Sequence, residues 1–251
     1  MQFVVCIVAV CPLRSEASHR SETVSGLLFG EAAEVLEVGK EFTKIKCLYD
    51  DYIGWAQRSQ LVETDEDIAK LKPTGYTFTR NTTVGINDTQ MFVSVATPVF
   101  ANTHFGKYKI EYGEEETLLF DASFFTDEVI KMVALLYENV PYLWGGKSSF
   151  GIDCSGFVQQ VFKLFRKPLL RDAYQQAMQG EVIHFLAETK CGDLAFFDNE
   201  EGRIVHVGIL LSNDEIIHAS GKVRIDTIDS FGILNRDTGV RTHKLRVIKR
   251  I

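Results

Sequence analysis

A cysteine between a glycine-rich bend and a helical pattern constrains this chain more than any other feature. The bend covers residues 141–152 and is followed directly by Asp153-Cys154-Ser155-Gly156-Phe157. Beyond the cysteine, apolar residues recur at helical spacing: Phe157, Val158, Val161, Phe162 and Phe165. The pattern predicts a helix that begins at Cys154 and buries one apolar stripe.

The start of a helix is a favourable place for a thiolate nucleophile. Free backbone N–H groups and the helix macrodipole favour the charged sulfur, so the position predicts a lowered pKa for the Cys154 thiol. A buried structural cysteine is the alternative, because cysteine is among the residue types most often buried. The histidines downstream favour the nucleophile.

Two histidines lie in a predicted β-hairpin. Residues 203–211 and 215–220 have the composition of two strands joined by a short polar turn. In that hairpin Gly208 lies opposite His218, and His206 is a diagonal neighbour on the same face. A register slip of one residue would place the two histidines on opposite faces.

Together with the cysteine, this hairpin favours nucleophilic catalysis. Cys154 is the predicted nucleophile, His206 the base, and His218 the group that orients the base. A metal site built from His206, His218 and a carboxylate uses the same residues and is the less favoured alternative. We therefore predict neither a metal nor a cofactor.

The order of these motifs resembles that of the NlpC-type papain-like cell-wall cysteine peptidases. The resemblance covers the C-terminal half of the chain and includes, after the Asp-Cys-Ser-Gly run, Gly192-Asp193-Leu194, His206-Val207-Gly208-Ile209 and Ile216-Ile217-His218-Ala219. These enzymes cleave peptide stem bonds of bacterial murein. The resemblance implies the same three catalytic residues.

The resemblance also implies donors for the oxyanion of the reaction. Tyr142, in the stretch Pro-Tyr-Leu-Trp-Gly-Gly, matches a tyrosine that lines the active site of the family. Its hydroxyl is expected to hold substrate or the oxyanion. The backbone N–H of Cys154 is the other expected donor.

The first 120 residues have a different pattern, of short strand-like runs separated by turns, which is typical of small barrels. These runs are 3–10, 34–38, 43–49 and 53–56, then a weaker set at 76–79, 90–95, 97–100 and 107–110. The hairpin at Asp50–Trp55 resembles that of a bacterial SH3-like barrel.

We predict three domains of overall α+β class. Residues 1–64 form a first SH3-like barrel, 65–120 a second one, and 121–251 a papain-like catalytic domain. A helix over 126–139 is expected to open the catalytic domain, because its apolar residues are helically spaced.

Two such barrels before an NlpC-type domain resemble the subgroup named dipeptidyl-peptidase VI, or γ-D-glutamyl-L-diamino acid endopeptidase. Its members release L-Ala-D-Glu from murein peptides with a free N-terminal L-alanine, because the first barrel closes one end of the cleft. The resemblance implies that Asp153 pairs with the substrate α-ammonium and that Ser155 assists. Glu22 and Tyr52, in the first barrel, match the additional amine contacts.

One position departs from the family pattern. Relatives usually carry Arg-Asp-Ser where this chain has Arg171-Asp172-Ala173. The missing hydroxyl removes one substrate hydrogen bond, worth about 1 kcal/mol, and leaves the nucleophile untouched. Arg171 and Asp172 are expected to tie the loop together.

Charge and motifs exclude several classes of partner. A formal net charge of -7 argues against binding to nucleic acid or to an anionic membrane. The sequence contains neither a Walker loop nor a dinucleotide fingerprint, so a nucleotide cofactor is not expected. The expected partner is a murein stem peptide, and the chain is expected to be a monomer.

Cysteine usage indicates a reducing compartment. The five cysteines are odd in number and lack Cys-x-x-Cys spacing, so neither a zinc ribbon nor a full disulfide framework is predicted. The apolar start, residues 1–10, lacks a basic region and is predicted as a strand rather than a signal peptide. A cytoplasmic enzyme is expected, and an exported form follows only if a leader precedes this sequence.

Three other functions are compatible with these motifs. A general wall hydrolase would act on intact murein, a catalytically silent domain would only bind murein peptides, and an acyl transferase would use the same Cys-His order. Spacing along the sequence does not separate hydrolysis from transfer. It also leaves open whether the diamino acid is meso-diaminopimelate or lysine.

Overall fold

A computed structural model describes residues 2–101, 104–113, 117–118 and 122–251. The chain forms two compact units, one of Met1–Leu119 with Trp144–Phe150 and one of Phe120–Leu143 with Gly151–Ile251. The middle of the glycine-rich bend before Cys154, residues 144–150, therefore belongs to the same unit as the N-terminal strands, and both ends of the bend belong to the other unit. No helix in the described ranges has both the length and the apolar character needed to cross a membrane.

The first unit begins with seven antiparallel strands in the order β3-β2-β6-β5-β4-β1-β7. They are β1 (Phe3–Cys6), β2 (Val10–Arg14), β3 (Thr23–Leu28), β4 (Ala32–Val38), β5 (Phe42–Cys47), β6 (Ile53–Gln57) and β7 (Leu61–Thr64). The single strand expected over residues 3–10 is thus wrong. The apolar run there spans the end of β1 and the start of β2, because both strands bury residues in one core.

The remaining elements of this unit are a short helix and small strands. They are α1 (Glu66–Ala69), β8 (Gly75–Thr77), β9 (Thr83–Ile86), β10 (Thr89–Phe92), β11 (Pro98–Val99), β12 (His104–Phe105), β13 (Tyr108–Tyr112), β14 (Thr117–Leu118) and β15 (Lys147–Ser148). Val5 and Phe29 share a hydrophobic cluster with Val84, Phe105 and Ile110. The two expected barrels therefore share this cluster, while the first sheet also has a hydrophobic cluster of its own. The boundary at residue 64 stays a prediction.

A buried ion pair anchors the glycine-rich bend within this unit. The Lys147 ammonium lies 3.3 Å from the Glu31 carboxylate, and both side chains are buried. Close backbone approach explains one of the glycines. Gly145 has a φ of +72°, and a Cβ there would lie 2.2 Å from the carbonyl oxygen of Thr23.

The second unit is built around a curved antiparallel sheet. Its elements are α2 (Asp127–Leu135), β16 (Gly151–Ile152), α3 (Cys154–Leu164), α4 (Ala173–Gln176), β17 (Glu181–Ile183), β18 (Leu194–Asp198), β19 (Ile204–Leu210), β20 (Glu215–Ser220), β21 (Lys222–Asp229), β22 (Gly232–Leu234) and β23 (Arg241–Arg250). The strand order is β17-β23-β18-β19-β20-β21-β22, and β22 also pairs with β23. Six strands therefore close into a barrel.

Sheet predominates over helix in the described chain, so the α+β class is not clearly met. The predicted helix over 126–139 ends earlier, with α2 at Leu135. The single apolar stripe expected for α3 is wrong, because all eleven of its residues are buried. The helix lies inside the unit, in contact with α2, α4, β19 and β20.

Replacing Glu31 by Gln should lower the free energy of unfolding substantially. Removing one partner of a buried ion pair costs on the order of 3–5 kcal/mol. Denaturant unfolding followed by tryptophan fluorescence measures the change. Glu41→Gln is the matched control, since Glu41 pairs with His19 at an exposed position and should cost about 1 kcal/mol or less. Equal effects of the two variants would contradict a stabilising role for the buried pair.

Candidate active site

Cys154 is the first residue of α3, as the sequence predicts. Asp153 is the N-cap, and its carboxylate accepts a hydrogen bond of 2.7 Å from the backbone N–H of Gly156. This cap satisfies one of the free N–H groups that every helix leaves at its start. The Cys154 sulfur is therefore held at the start of a capped helix, and the side chain is largely buried.

The expected lowering of the thiol pKa is wrong. Burial, together with the Asp153 carboxylate, raises the pKa of Cys154 to about 12. The backbone N–H groups of Val207 and Ser155 lower the pKa, but each has a weaker effect. Loss of water around the sulfur outweighs the helix N-terminus. The sulfur is a thiol at neutral pH and needs a base to become a nucleophile.

The predicted register of the hairpin is confirmed. Gly208 pairs with His218 across β19 and β20, and the Nε2 atom of His206 lies 2.8 Å from the Nδ1 atom of His218. Gly208 is required by this approach, since a Cβ there would lie 2.8 Å from the Cβ of His218. A larger residue would push the two strands, and with them the two imidazoles, apart.

His206 is uncharged in the resting site. It is buried, and burial lowers its pKa well below the usual range, with further lowering by His218 and His243. The ring is therefore uncharged at neutral pH. The backbone N–H of its neighbour Val207 lowers the pKa of the Cys154 thiol, so the residue next to His206 lies near the sulfur.

A buried carboxylate that the sequence analysis missed extends this chain of hydrogen bonds. The Nε2 atom of His218 lies 3.0 Å from an oxygen of Asp226. Asp226 is two positions from Arg224, the residue that pairs with His218 across β20 and β21, and is thus a diagonal neighbour of the histidine. A signal was available, namely an aspartate in the strand directly after the strand of His218, two positions from the residue that pairs with this histidine.

His243 also lies at the site without having been predicted. Its ring stacks on that of His206, with centroids 4.0 Å apart and an interplanar angle of 23°. Burial, with the neighbouring His218, lowers the pKa of His243 to about 4, so the stacked ring is uncharged at neutral pH. No sequence signal indicates this contact, because β23 lies far along the chain from β19.

The three imidazoles are also a possible metal site. The ring nitrogens of His206, His218 and His243 lie within 4.8 Å of one another. Zinc–nitrogen bonds of about 2.0–2.1 Å with tetrahedral angles would hold two nitrogens roughly 3.3 Å apart. The 2.8 Å separation between His206 and His218 fits a direct hydrogen bond instead. The absence of a metal stays a prediction.

Comparison with known proteins connects this geometry to a family. Residues 139–242 match the NlpC/P60 family, and residues 13–61 match the bacterial dipeptidyl-peptidase Sh3 domain. The chain carries an NlpC/P60 domain. An SH3 domain of the bacterial dipeptidyl-peptidase type precedes it.

Curated relatives match stretches of this chain that differ in length. A γ-D-glutamyl-L-lysine dipeptidyl-peptidase of Bacillus subtilis is 32% identical over 182 residues, which cover 67% of this chain and 60% of that protein. A murein DD-endopeptidase and LD-carboxypeptidase, MepS of Escherichia coli, is 40% identical over 86 residues, covering 34% and 44%. This chain therefore spans less than two thirds of either relative.

Solved structures confirm the fold. An NlpC/P60 family protein of Bacillus cereus superposes with a TM-score of 0.81 at 17% identity, and the alignment covers 99% of each chain. An NlpC/P60 endopeptidase of Photobacterium damselae superposes with a TM-score of 0.65 at 15% identity, covering 98% of this chain and 70% of the other. The papain-like NlpC/P60 fold with an SH3-like N-terminal domain is thereby confirmed.

Asp153 has a strong partner inside the NlpC/P60 domain. The buried Arg171 guanidinium donates to its two carboxylate oxygens at 3.0 and 2.6 Å, and also to the Ser155 hydroxyl at 3.0 Å. The expected structural role of Arg171 agrees with these contacts. An ammonium bound by Asp153 would share the carboxylate with Arg171, so the role of Asp153 in substrate binding stays a prediction.

Tyr142 lies at the same site as the nucleophile. It is half-buried, and burial raises the pKa of its hydroxyl to about 12, with further raising by Cys154 and Asp153. The hydroxyl therefore keeps its proton at neutral pH and is available as a hydrogen-bond donor. Its contact with substrate stays a prediction.

The other predicted substrate contacts have local roles in their own units. In the first unit, the Glu22 carboxylate accepts a hydrogen bond of 2.5 Å from the Trp144 indole, and Tyr52 packs against the core of the first sheet. In the second, Ala173 is buried at the start of α4. Asp172 is the N-cap of that helix, which agrees with the expectation that it ties the loop together. Amine binding by Glu22 and Tyr52 stays a prediction.

Alkylation of Cys154 by iodoacetamide should become steadily faster from about pH 6 to about pH 10, because the thiolate is the reactive form and its fraction grows up to the pKa. Mass spectrometry of the peptide that contains Cys154 gives the rate, and Cys154→Ala gives the background of the other thiols. A rate that reaches its plateau below about pH 7 would show a lowered thiol pKa and contradict the effect of burial.

Proposed function

We propose that this protein is a cysteine peptidase that cleaves the γ-D-glutamyl–diamino acid bond of murein stem peptides. Its substrates carry a free N-terminal L-alanine, and the product is L-Ala-D-Glu. The observation that carries the reaction type is a sulfur at a helix N-terminus, near the backbone N–H of Val207, with a buried, uncharged imidazole on the preceding residue, His206. The bond is inferred from the B. subtilis relative, whose similarity covers 67% of this chain and so extends beyond the NlpC/P60 domain.

The first half of the reaction forms a thioester. His206 takes the proton of Cys154 as the sulfur attacks the γ-carbonyl carbon of D-glutamate. The carbonyl oxygen becomes an oxyanion, and the backbone N–H of Cys154 and the Tyr142 hydroxyl are the proposed donors to it. His206 then gives its proton to the nitrogen of the diamino acid, and this amine leaves.

The second half of the reaction releases the acid. Water loses a proton to His206 and attacks the thioester carbon. The C–S bond then breaks, and the sulfur recovers the proton from His206. One water is consumed, one peptide bond is broken, and the enzyme returns to its neutral thiol and imidazole. The raised pKa of Cys154 suits this last step, since a basic sulfur is readily protonated again.

A second candidate function is cleavage of intact murein. The E. coli relative named as a murein DD-endopeptidase and LD-carboxypeptidase is 40% identical to this chain, although over the NlpC/P60 domain alone. The same nucleophile and base would serve either bond. The requirement for a free N-terminal amine separates the two functions.

The cytoplasmic location and the monomeric state are part of the same proposal. All five cysteines are free thiols, which suits a reducing compartment. Cell fractionation of the native host and light scattering of the purified chain test the two points.

The protein should release L-Ala-D-Glu from L-Ala-γ-D-Glu-meso-diaminopimelate or from L-Ala-γ-D-Glu-L-Lys, and Cys154→Ala should release none. Mass spectrometry of the products, with each peptide also supplied in N-acetylated form, measures the reaction. Free peptides should be cleaved and acetylated ones spared. Comparison of the two free peptides gives the preferred diamino acid.

Cys191→Ala is the matched control, because Cys191 is another buried free thiol and should be dispensable. Activity should persist in a chelator. Cleavage of acetylated peptides would replace the proposal with a general wall hydrolase, and binding without cleavage would replace it with a binding module. A stable amide formed with an added amine would show an acyl transferase.

A further inference from the structure

Asp226 ends a buried row of polar side chains that begins at the base. His206 lies 2.8 Å from His218, and His218 lies 3.0 Å from Asp226. Both His218 and Asp226 are at most 1% exposed. At such burial each hydrogen must have a definite place, because reversing one bond would leave two donors or two acceptors facing each other.

The other partners of Asp226 determine which group donates and which accepts in each of these hydrogen bonds. One carboxylate oxygen accepts from the Arg224 guanidinium at 2.8 Å and from the backbone N–H of Arg236 at 2.9 Å. Neither donor can become an acceptor. Although burial opposes ionisation, the hydrogen bonds from His218, Arg236 and Arg224 hold the pKa of Asp226 well below its usual range. The carboxylate therefore only accepts.

Because the carboxylate only accepts, it determines which nitrogen of each imidazole carries the hydrogen. His218 must donate from Nε2 to Asp226, so in the neutral ring its Nδ1 is an acceptor. The facing Nε2 of His206 must then carry the hydrogen. This leaves the Nδ1 of His206 with a lone pair, and that nitrogen is the one able to take the thiol proton.

We propose that Asp226 is a positioning residue that, through His218, holds His206 in the tautomer that can act as a base. This inference rests on the proposed function of His206. When His206 takes the proton of Cys154, both of its nitrogens carry hydrogen and the Nε2–H bond to His218 is kept. The carboxylate then stabilises the positive charge through His218, without itself accepting a proton.

Replacing Asp226 by Asn should reverse the direction of both hydrogen bonds, the one between residue 226 and His218 and the one between His218 and His206. The amide oxygen would face Arg224 and the N–H of Arg236, because those donors cannot reverse, and the amide NH2 would face His218. His218 would then accept at Nε2 and donate from Nδ1, which forces the hydrogen of His206 onto Nδ1. We expect kcat for the free murein tripeptide to fall about 10²–10⁴-fold with KM little changed. Asp229→Asn, on the same strand, is the matched control and should keep full activity.

Asp226→Ala separates positioning from a structural role. Without any group at this position His218 can adopt either tautomer, so the alanine variant should be more active than the asparagine variant. A structural role predicts the opposite order, since alanine leaves a cavity and asparagine keeps the shape. Thermal melts of all three variants show which of them are folded.

Nitrogen-15 NMR of the histidine side chains tests the inference without substrate. The wild type should show His206 protonated at Nε2, and Asp226→Asn should show it protonated at Nδ1. An unchanged tautomer in a folded Asp226→Asn protein would overturn the inference. Because this measurement needs no turnover, it stands apart from the test of the proposed function. If the protein shows the expected tautomers but cleaves no murein peptide, only the proposed function is contradicted.

Discussion

The register between β19 and β20 is the constraint on which the site depends. Gly208 opposite His218 lets the strands approach closely enough for His206 and His218 to form a direct hydrogen bond. Both imidazoles are buried, so each ring nitrogen needs a defined partner. The register makes His206 and His218 partners of each other. Asp226, on the adjacent strand, is the partner of the second ring nitrogen of His218. A shift by one residue would leave buried polar groups without partners.

Burial shifts the pKa values of Cys154 and His206 in opposite directions, and the two effects together set the protonation of the resting site. It raises the pKa of Cys154 and lowers that of His206, because each charged form loses hydration. The uncharged pair is thereby favoured over a thiolate–imidazolium pair. In the proposed reaction, charge develops only as the sulfur attacks, and the carboxylate of Asp226 then stabilises the positive charge through His218.

The nucleophile helix depends on a second buried carboxylate that is already compensated. Asp153 caps α3 and forms a bidentate ion pair with Arg171. Bidentate pairs of this kind hold both partners in one geometry. The negative charge next to Cys154 is therefore balanced within the NlpC/P60 domain. Any substrate ammonium would compete with a guanidinium that is almost completely buried.

Local periodicity in the sequence determined the helix from Cys154 and the hairpin in which Gly208 faces His218, because both depend on neighbours within one or two elements. The motifs also determined the NlpC/P60 family. Only the tertiary structure decided that α3 is buried on all sides, that the thiol pKa rises, and that Asp226 and His243 join the site. Burial and contacts between distant strands arise from packing of the whole unit, and residue spacing along the chain does not encode them separately.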